Sequence, residues 1–195
     1  MTDQPAPIFM RSANLDDLDD VMAVIDDAKQ LLKADGSSQW QQGYPSRLSM
    51  QQDIESDNCY VLIYGNEVVG TGTLMPYGDT HYAYIVDGKW NHAGHPFGTI
   101  NRIAISSKYR GKRFANYIMS TLIGIAYAKG VRDLRISTHE KNARVHQLVQ
   151  TFGFIQRGKV YTGPTDADLR NAYELNLDNV DANENTGDEA VTAAD

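Results

Sequence analysis

One segment constrains the fold of this chain more than any other. Residues 100–105 are a short apolar run that leads through Lys108-Tyr109-Arg110-Gly111-Lys112-Arg113-Phe114-Ala115 into a long helical pattern. A strand that hands over to a helix through such a turn belongs in a layered sheet-and-helix architecture. The helix also starts with the wrong charge. Cations at a helix N-terminus oppose the macrodipole and the unpaired N–H groups there, so helices normally open with acids. The same chain follows that rule elsewhere, with Asp16, Asp17, Asp19 and Asp20 crowding the start of an earlier helix behind Asn14, a good N-cap. Four cations around a glycine that permits close backbone approach point to an anion, with phosphate the first choice.

Bulk properties fit one domain. A chain of 195 residues with 42% hydrophobic content can bury a sizeable core but would be cramped as two domains. The net charge of −7 sits oddly with an anionic ligand until its distribution is considered: residues 178–195 carry six acids and no base, and the remainder has a net charge of −1. That stretch is poor in large apolar residues and is expected to stay disordered as an acidic tail beyond a single domain at residues 7–177. The N-terminus shows no basic start followed by an apolar run, and no apolar stretch approaches the roughly 18 residues needed for a membrane span, so a cytoplasmic location is expected. The single cysteine, Cys59, opens an apolar strand and is read as a buried structural thiol.

Periodicity supplies the remaining elements. A strand is expected at 8–13, followed by a helix in which Leu18, Val21, Met22, Ile25, Ala28 and Leu32 recur at helical spacing until Asp35-Gly36-Ser37-Ser38 stops it. A second helix is expected at 46–56, and strands at 60–64 and 67–75 flank Gly65-Asn66 as a hairpin. A further strand is expected at 82–86 within an otherwise loop-like stretch. After the 100–105 strand come a helix at 111–128, a strand at 133–137, a helix at 142–152, and closing strands at 154–161 and 171–177. The order indicates a mixed sheet with helices on its faces, α/β in class or α+β by stricter labels.

Neither Gly-x-x-x-x-Gly-Lys-Ser/Thr nor Gly-x-Gly-x-x-Gly occurs, which argues against the two commonest nucleotide-binding folds. What the chain does carry is Arg-x-x-x-x-Ala at Arg110 to Ala115 and, about 30 residues later, Asn142-Ala-Arg-Val-His-Gln-Leu-Val-Gln-Thr-Phe-Gly-Phe154. Together these resemble the GCN5-related N-acetyltransferase (GNAT) family, whose first motif, Gln/Arg-x-x-Gly-x-Gly/Ala, wraps the pyrophosphate of acetyl-CoA and whose second is an Asn-led helix ending in Gly-Phe. The resemblance covers nearly the whole body and implies a mostly antiparallel mixed sheet flanked by helices. It assigns acetyl-CoA contacts to Arg110, Gly111, Lys112, Arg113, Phe114, Ala115 and Asn142. Ile103, Ala104 and Ile105 would bind pantetheine through backbone groups where their strand splays from the next. Gln39-Trp40-Gln41-Gln42-Gly43-Tyr44-Pro45 is similar to a Trp-x-x-Gly-Tyr-Pro element of a bacterial GNAT subgroup, which puts Trp40 and Tyr44 at the acceptor pocket.

Two positions depart from the family pattern. Arg113 replaces the first motif glycine, and Val149 stands where many members carry a tyrosine that protonates the departing thiolate. Valine cannot donate a proton, although a CoA thiol, with a pKa near that of free cysteine, is a tolerable leaving group. His139 and Glu140, just past the 133–137 strand, are the candidates for proton transfer. His81, His92 and His95 share one loop and suit substrate contact better than metal, because His92-x-x-His95 lacks further ligands in sequence; no metal is expected.

The leading reading is an acetyl-CoA-dependent N-acetyltransferase acting by direct transfer on a primary amine of a small molecule or peptide. The alternative is a CoA-binding protein with little or no catalytic activity. Nucleic-acid binding is disfavoured by the small basic patch on a nearly neutral body, and no membrane partner is expected. A homodimer is left open.

Overall fold

The computed structural model describes residues 6–178. The acidic tail expected from 178 onward therefore lies, past Asp178, outside the described residues. The chain runs β1 (Ile8–Ser12), α1 (Leu18–Ala34), α2 (Arg47–Glu55), β2 (Cys59–Tyr64), β3 (Glu67–Met75), β4 (Gly98–Ile105), α3 (Phe114–Ala128), β5 (Asp133–Thr138), α4 (Ala143–Thr151), β6 (Ile155–Tyr161) and β7 (Leu169–Asn176). The strands form one sheet in the order β1-β2-β3-β4-β5-β7-β6, antiparallel throughout except where β4 meets β5. This is the mixed, mostly antiparallel sheet that the sequence implied.

β2 shows why the sheet is sandwiched. Its sequence, Cys-Tyr-Val-Leu-Ile-Tyr, is apolar on both faces instead of alternating, the pattern of a strand covered on both sides. Cys59, Val61 and Ile63 pack with Val21, Val24 and Ile25 of α1 and Met50 and Ile54 of α2. Tyr60 and Leu62 face the other way, into a larger core with Ile118, Met119 and Leu122 of α3 and Leu148 and Val149 of α4. Gly70 and Gly72 of β3 let α3 lie close: a Cβ on Gly72 would come within 2.9 Å of both Ile118 and Leu122. Burial pushes the Cys59 thiol up to about 11, consistent with an inert structural residue.

Caps follow the sequence signals. Asn14 accepts from the Asp16 N–H, and Asp17 bonds back to the Asn14 N–H in a reciprocal box ahead of α1. Two expectations are corrected. Residues 82–86 are not a strand: Thr80–Ala83 is a 3-10 turn capped by Asp79, and only Val86 bridges, to Lys159 of β6. Tyr82 is drawn into a small core with Trp90, which leaves the next residues without a neighbouring strand, and Tyr84 is 85% exposed. The helix expected from 111 begins instead at Phe114, because Gly111 (φ 80) and Arg113 (φ 56) hold left-handed backbone that cannot join an α-helix.

Candidate active site

β4 and β5 pair only at Gly98 with Leu134 and at Thr99 with Arg135. Beyond Thr99 they have no register partners, so the sheet opens into a wedge between residues 100–105 and 136–138. The register also shifts between β3 and β4: Thr71 faces Ala104 whereas Thr73 faces Asn101, so β4 carries one extra residue. That bulge is at Arg102, whose φ is +53. It is pinned from outside the sheet, since Arg102 Nη1 donates to Asp53 Oδ2 at 2.7 Å and the guanidinium lies 5.2 Å from the centre of the Tyr44 ring. Burial pushes the Asp53 carboxyl up, and the Arg102 charge offsets part of this.

A cavity of about 770 Å³ fills the wedge, within the size range of small-molecule sites. Its wall includes Ile103, Ala104, Ile105, Arg110, Gly111, Arg113, Phe114, Ala115 and Asn142, together with Trp40 and Tyr44. Lys112 is not part of the wall and stands 5.4 Å from the Tyr64 ring. Nor are His139 and Glu140, which follow Thr138, the last β5 residue on it. Burial holds the His139 imidazole below its usual pKa, and its Nδ1 accepts from the Lys141 N–H at 3.1 Å. Glu140 is exposed. Three of the non-glycine residues with left-handed backbone, Trp40, Arg102 and Arg113, stand on this wall, so the conformations that cost most are concentrated there.

One end of the cavity is shaped for an anion. Among the described residues, the backbone N–H groups of Gly111, Lys112, Arg113, Phe114 and Ala115 have no hydrogen-bond acceptor. A run of free N–H groups through left-handed residues into a helix N-terminus forms a concave nest for an anion. The turn is fixed on both sides. Asp27 of α1 accepts from the Ser107 N–H at 2.8 Å and the Ser106 hydroxyl at 3.2 Å, which holds its pKa down. Glu67 of β3 accepts from Lys108 at 2.8 Å and from the Tyr109 hydroxyl at 2.8 Å, so Lys108 is paired with protein.

Residues that sequence reasoning passed over organise the rest. Gln39 Oε1 accepts from the Thr138 hydroxyl, the His139 N–H and Asn142 Nδ2 at 3.2 to 3.3 Å, tying the α1–α2 connection to the β5–α4 turn. Asn142 caps α4 through the Val145 N–H. Tyr82 donates to Ser137 Oγ at 3.0 Å, and both line the cavity. His81 is on the wall with its Nδ1 2.5 Å from Asp79 Oδ1. The periodic pattern had no means of bringing Gln39 to Thr138 or Asp53 to Arg102, because both contacts are long-range. Val149 is fully buried in the larger core and absent from the wall.

The acetyltransferase (GNAT) family model matches residues 25–154, two-thirds of the chain. The chain belongs to the GNAT acetyltransferase family. It is an acyltransferase of the N-acetyltransferase type, and the wedge and nest occupy the matched segment. A GNAT family acetyltransferase from Streptococcus agalactiae is similar at 30% identity, with 89% of this chain and 97% of that one covered and a TM-score of 0.77. An N-acetyltransferase from Staphylococcus aureus (22% identity, 88% and 99% covered, TM-score 0.63) shares the fold. So does the PaiA N-acetyltransferase from Thermoplasma acidophilum, whose structure is a complex with coenzyme A (15% identity, 87% and 99% covered, TM-score 0.65). No curated protein matches the chain significantly.

The loop histidines of this GNAT protein gain a third neighbour that the sequence did not connect to them. His92, His95 and Asp133 bring ligand-type atoms within 4.8 Å of one another. Asp133 is buried, and its Oδ1 is 2.9 Å from His92 Nδ1 and accepts from Asn176 Nδ2 at 2.6 Å. Among the described residues no helix is long and apolar enough to cross a membrane.

Proposed function

We propose that this GNAT protein moves an acetyl group from acetyl-CoA to a primary amine of a small molecule or peptide by direct transfer. The observation that carries the reading is the continuity of one cavity from the unpaired N–H run at Gly111 to Ala115 into the β4–β5 wedge. The N–H groups, with Arg110 and Arg113, suit the diphosphate, and the edge of β4 at Ile103 to Ile105 that β5 leaves without register partners suits the amides of pantetheine and the thioester oxygen. The complex of PaiA N-acetyltransferase with coenzyme A supports the same donor here. Asn142, engaged by Val145 and Gln39, contributes by fixing the turn beside the cavity.

In this reading the acceptor nitrogen attacks the thioester carbon, the C–N bond forms as the C–S bond breaks, and the amine proton leaves to a base. His81 takes that role, with Asp79 orienting its ring in the manner of a carboxylate behind an imidazole base. His139 and Glu140 shape the β5–α4 turn. The departing thiolate needs no dedicated acid because a thiol with a pKa near that of free cysteine is a tolerable leaving group.

Calorimetry with acetyl-CoA tests the donor: absence of binding at high micromolar concentration would remove both acetyl transfer and CoA binding. Arg110→Glu weakens that binding by about tenfold or more, as a reversed charge beside a phosphate should; unchanged affinity would move the phosphate site elsewhere. His81→Gln lowers kcat by about 10²- to 10⁴-fold while acetyl-CoA binding persists, and an unaltered pH–rate profile would reassign the base. The second reading, CoA binding with little catalysis, rests on the side chain of Val149, which has no proton to donate. Binding without thiol release across a broad amine panel would select it.

A further inference from the structure

Arg170 is a cation on the cavity wall that the acetyl-transfer reading leaves without work. It is the second residue of β7. The registers that set Asn171 opposite Thr138 and Arg170 opposite Val160 put it just past the end of β5, at the open mouth of the wedge. Arg170 is only 9% exposed and forms none of the ion pairs among the described residues. Its Nη1 donates to the carbonyls of Ala167 at 2.7 Å and Leu169 at 2.9 Å, whereas Nε and Nη2 have no partner among the described residues. Burial lowers its hold on the proton, and nearby Asp168 offsets this only in part.

The unused edge is open to the cavity, and a sheltered guanidinium that presents a free edge there is a ready partner for an anion. The other sheltered arginines already face a carboxylate, Arg102 bonding Asp53 and Arg135 bonding Glu174, and each has only its Nε buried without a partner. Asp168 does not take the free edge, because its Oδ2 accepts from the Thr165 N–H and hydroxyl. An Nε–Nη2 edge is the fork that receives both oxygens of a carboxylate. A dianion fits less well, since Asp79 and Asp168 already bring negative charge to the same wall.

Resting on the acetyl-transfer reading, we infer that the acceptor is an amino carboxylate, a small molecule holding amine and carboxylate together, and that Arg170 fixes its carboxylate while the amine enters the wedge. A peptide N-terminus, with its carboxylate far away, lacks this handle. Arg170 thereby sets acceptor specificity, whereas the diphosphate of the donor is held by the N–H run at Gly111 to Ala115.

The test uses the full chain saturated with acetyl-CoA for turnover, or with CoA for calorimetry, and matched acceptor pairs: glutamate, methionine, β-alanine and γ-aminobutyrate, each against its carboxamide. The carboxylate member of at least one pair is expected to bind and to exceed its carboxamide in kcat/KM by about tenfold or more, the worth of a charge-assisted fork. Arg170→Gln removes that preference through KM for the acceptor and leaves acetyl-CoA affinity unchanged; Arg170→Lys restores part of it. Equal use of the carboxamides, a preference that survives in Arg170→Gln, or no binding of any amino carboxylate would overturn the inference. If Arg170→Gln loses the β7 turn and fails to fold, the wild-type comparison of pairs decides alone. Acetyl-CoA binding with no carboxylate preference removes this inference only, whereas loss of acetyl-CoA binding in the wild type removes the reading beneath it as well.

Discussion

At Arg113 a single backbone angle links the fold to the ligand. Its φ of 56 is uncommon for a residue with a side chain, and it occurs at the position where the motif resemblance leads one to expect a glycine. The left-handed conformation costs an L-residue about 1–2 kcal/mol, so Arg113→Gly is expected to stabilise the ligand-free protein by about 1 kcal/mol. Denaturant melts measure that gain, and an unchanged midpoint would mean the strain is relieved locally. The same substitution removes a guanidinium from the nest, so acetyl-CoA affinity should fall even as stability rises. Arg113 thus accepts backbone strain in exchange for charge at the anion site. The sequence displayed the substitution plainly but not the angle, because φ at this position is imposed by the turn that frees the surrounding N–H groups.

Among the elements, the stretch between β3 and β4 is the one that sequence periodicity misjudged. Its Tyr, Ile and Val residues suggest a strand, yet it is held by side chains that reach across the sheet. Tyr82 and Trp90 enter a small core, the Asn91 N–H donates to Glu174, and Arg135 stacks 4.1 Å from Trp90 and 3.9 Å from Phe97. Gly88 lies so tightly on β6 that an added Cβ would sit 1.8 Å from the Arg157 carbonyl oxygen. Gly88→Ala should therefore lift this segment off β6 and cost about 2 kcal/mol or more. Hydrogen exchange would show faster exchange at residues 86–91 with β2 and β3 unaffected, and a uniform loss of protection would contradict local release. The helices and the remaining strands were legible because their signals are local: the Asn14 cap, the Gly36 stop and the Gly65-Asn66 turn. The turn proposed for phosphate stood out in the sequence as misplaced charge. Gln39, Asp53 and Arg170 did not, since each acquires its role only when distant segments meet.

For the whole molecule, the ligand and the sheet are thermodynamically coupled. Acetyl-CoA at a concentration of 100 Kd should stabilise the folded state by about 2.7 kcal/mol, raising Tm by roughly 5–11 °C for a chain of this size. Differential scanning fluorimetry with a CoA titration measures this, and a flat response would exclude tight binding to the folded form. The protection should not be spread evenly. Between β4 and β5 only two residue pairs join the β1–β4 half of the sheet to the β5–β7–β6 half. The donor's extended arm would lie along that seam and supply rungs that the polypeptide omits. In mechanical terms the sheet is a panel with an open joint, and its reactant is the spline that closes it. With the donor so placed, each turnover would loosen the two halves as the spent arm departs, and product release and the stiffness of the protein would be one event.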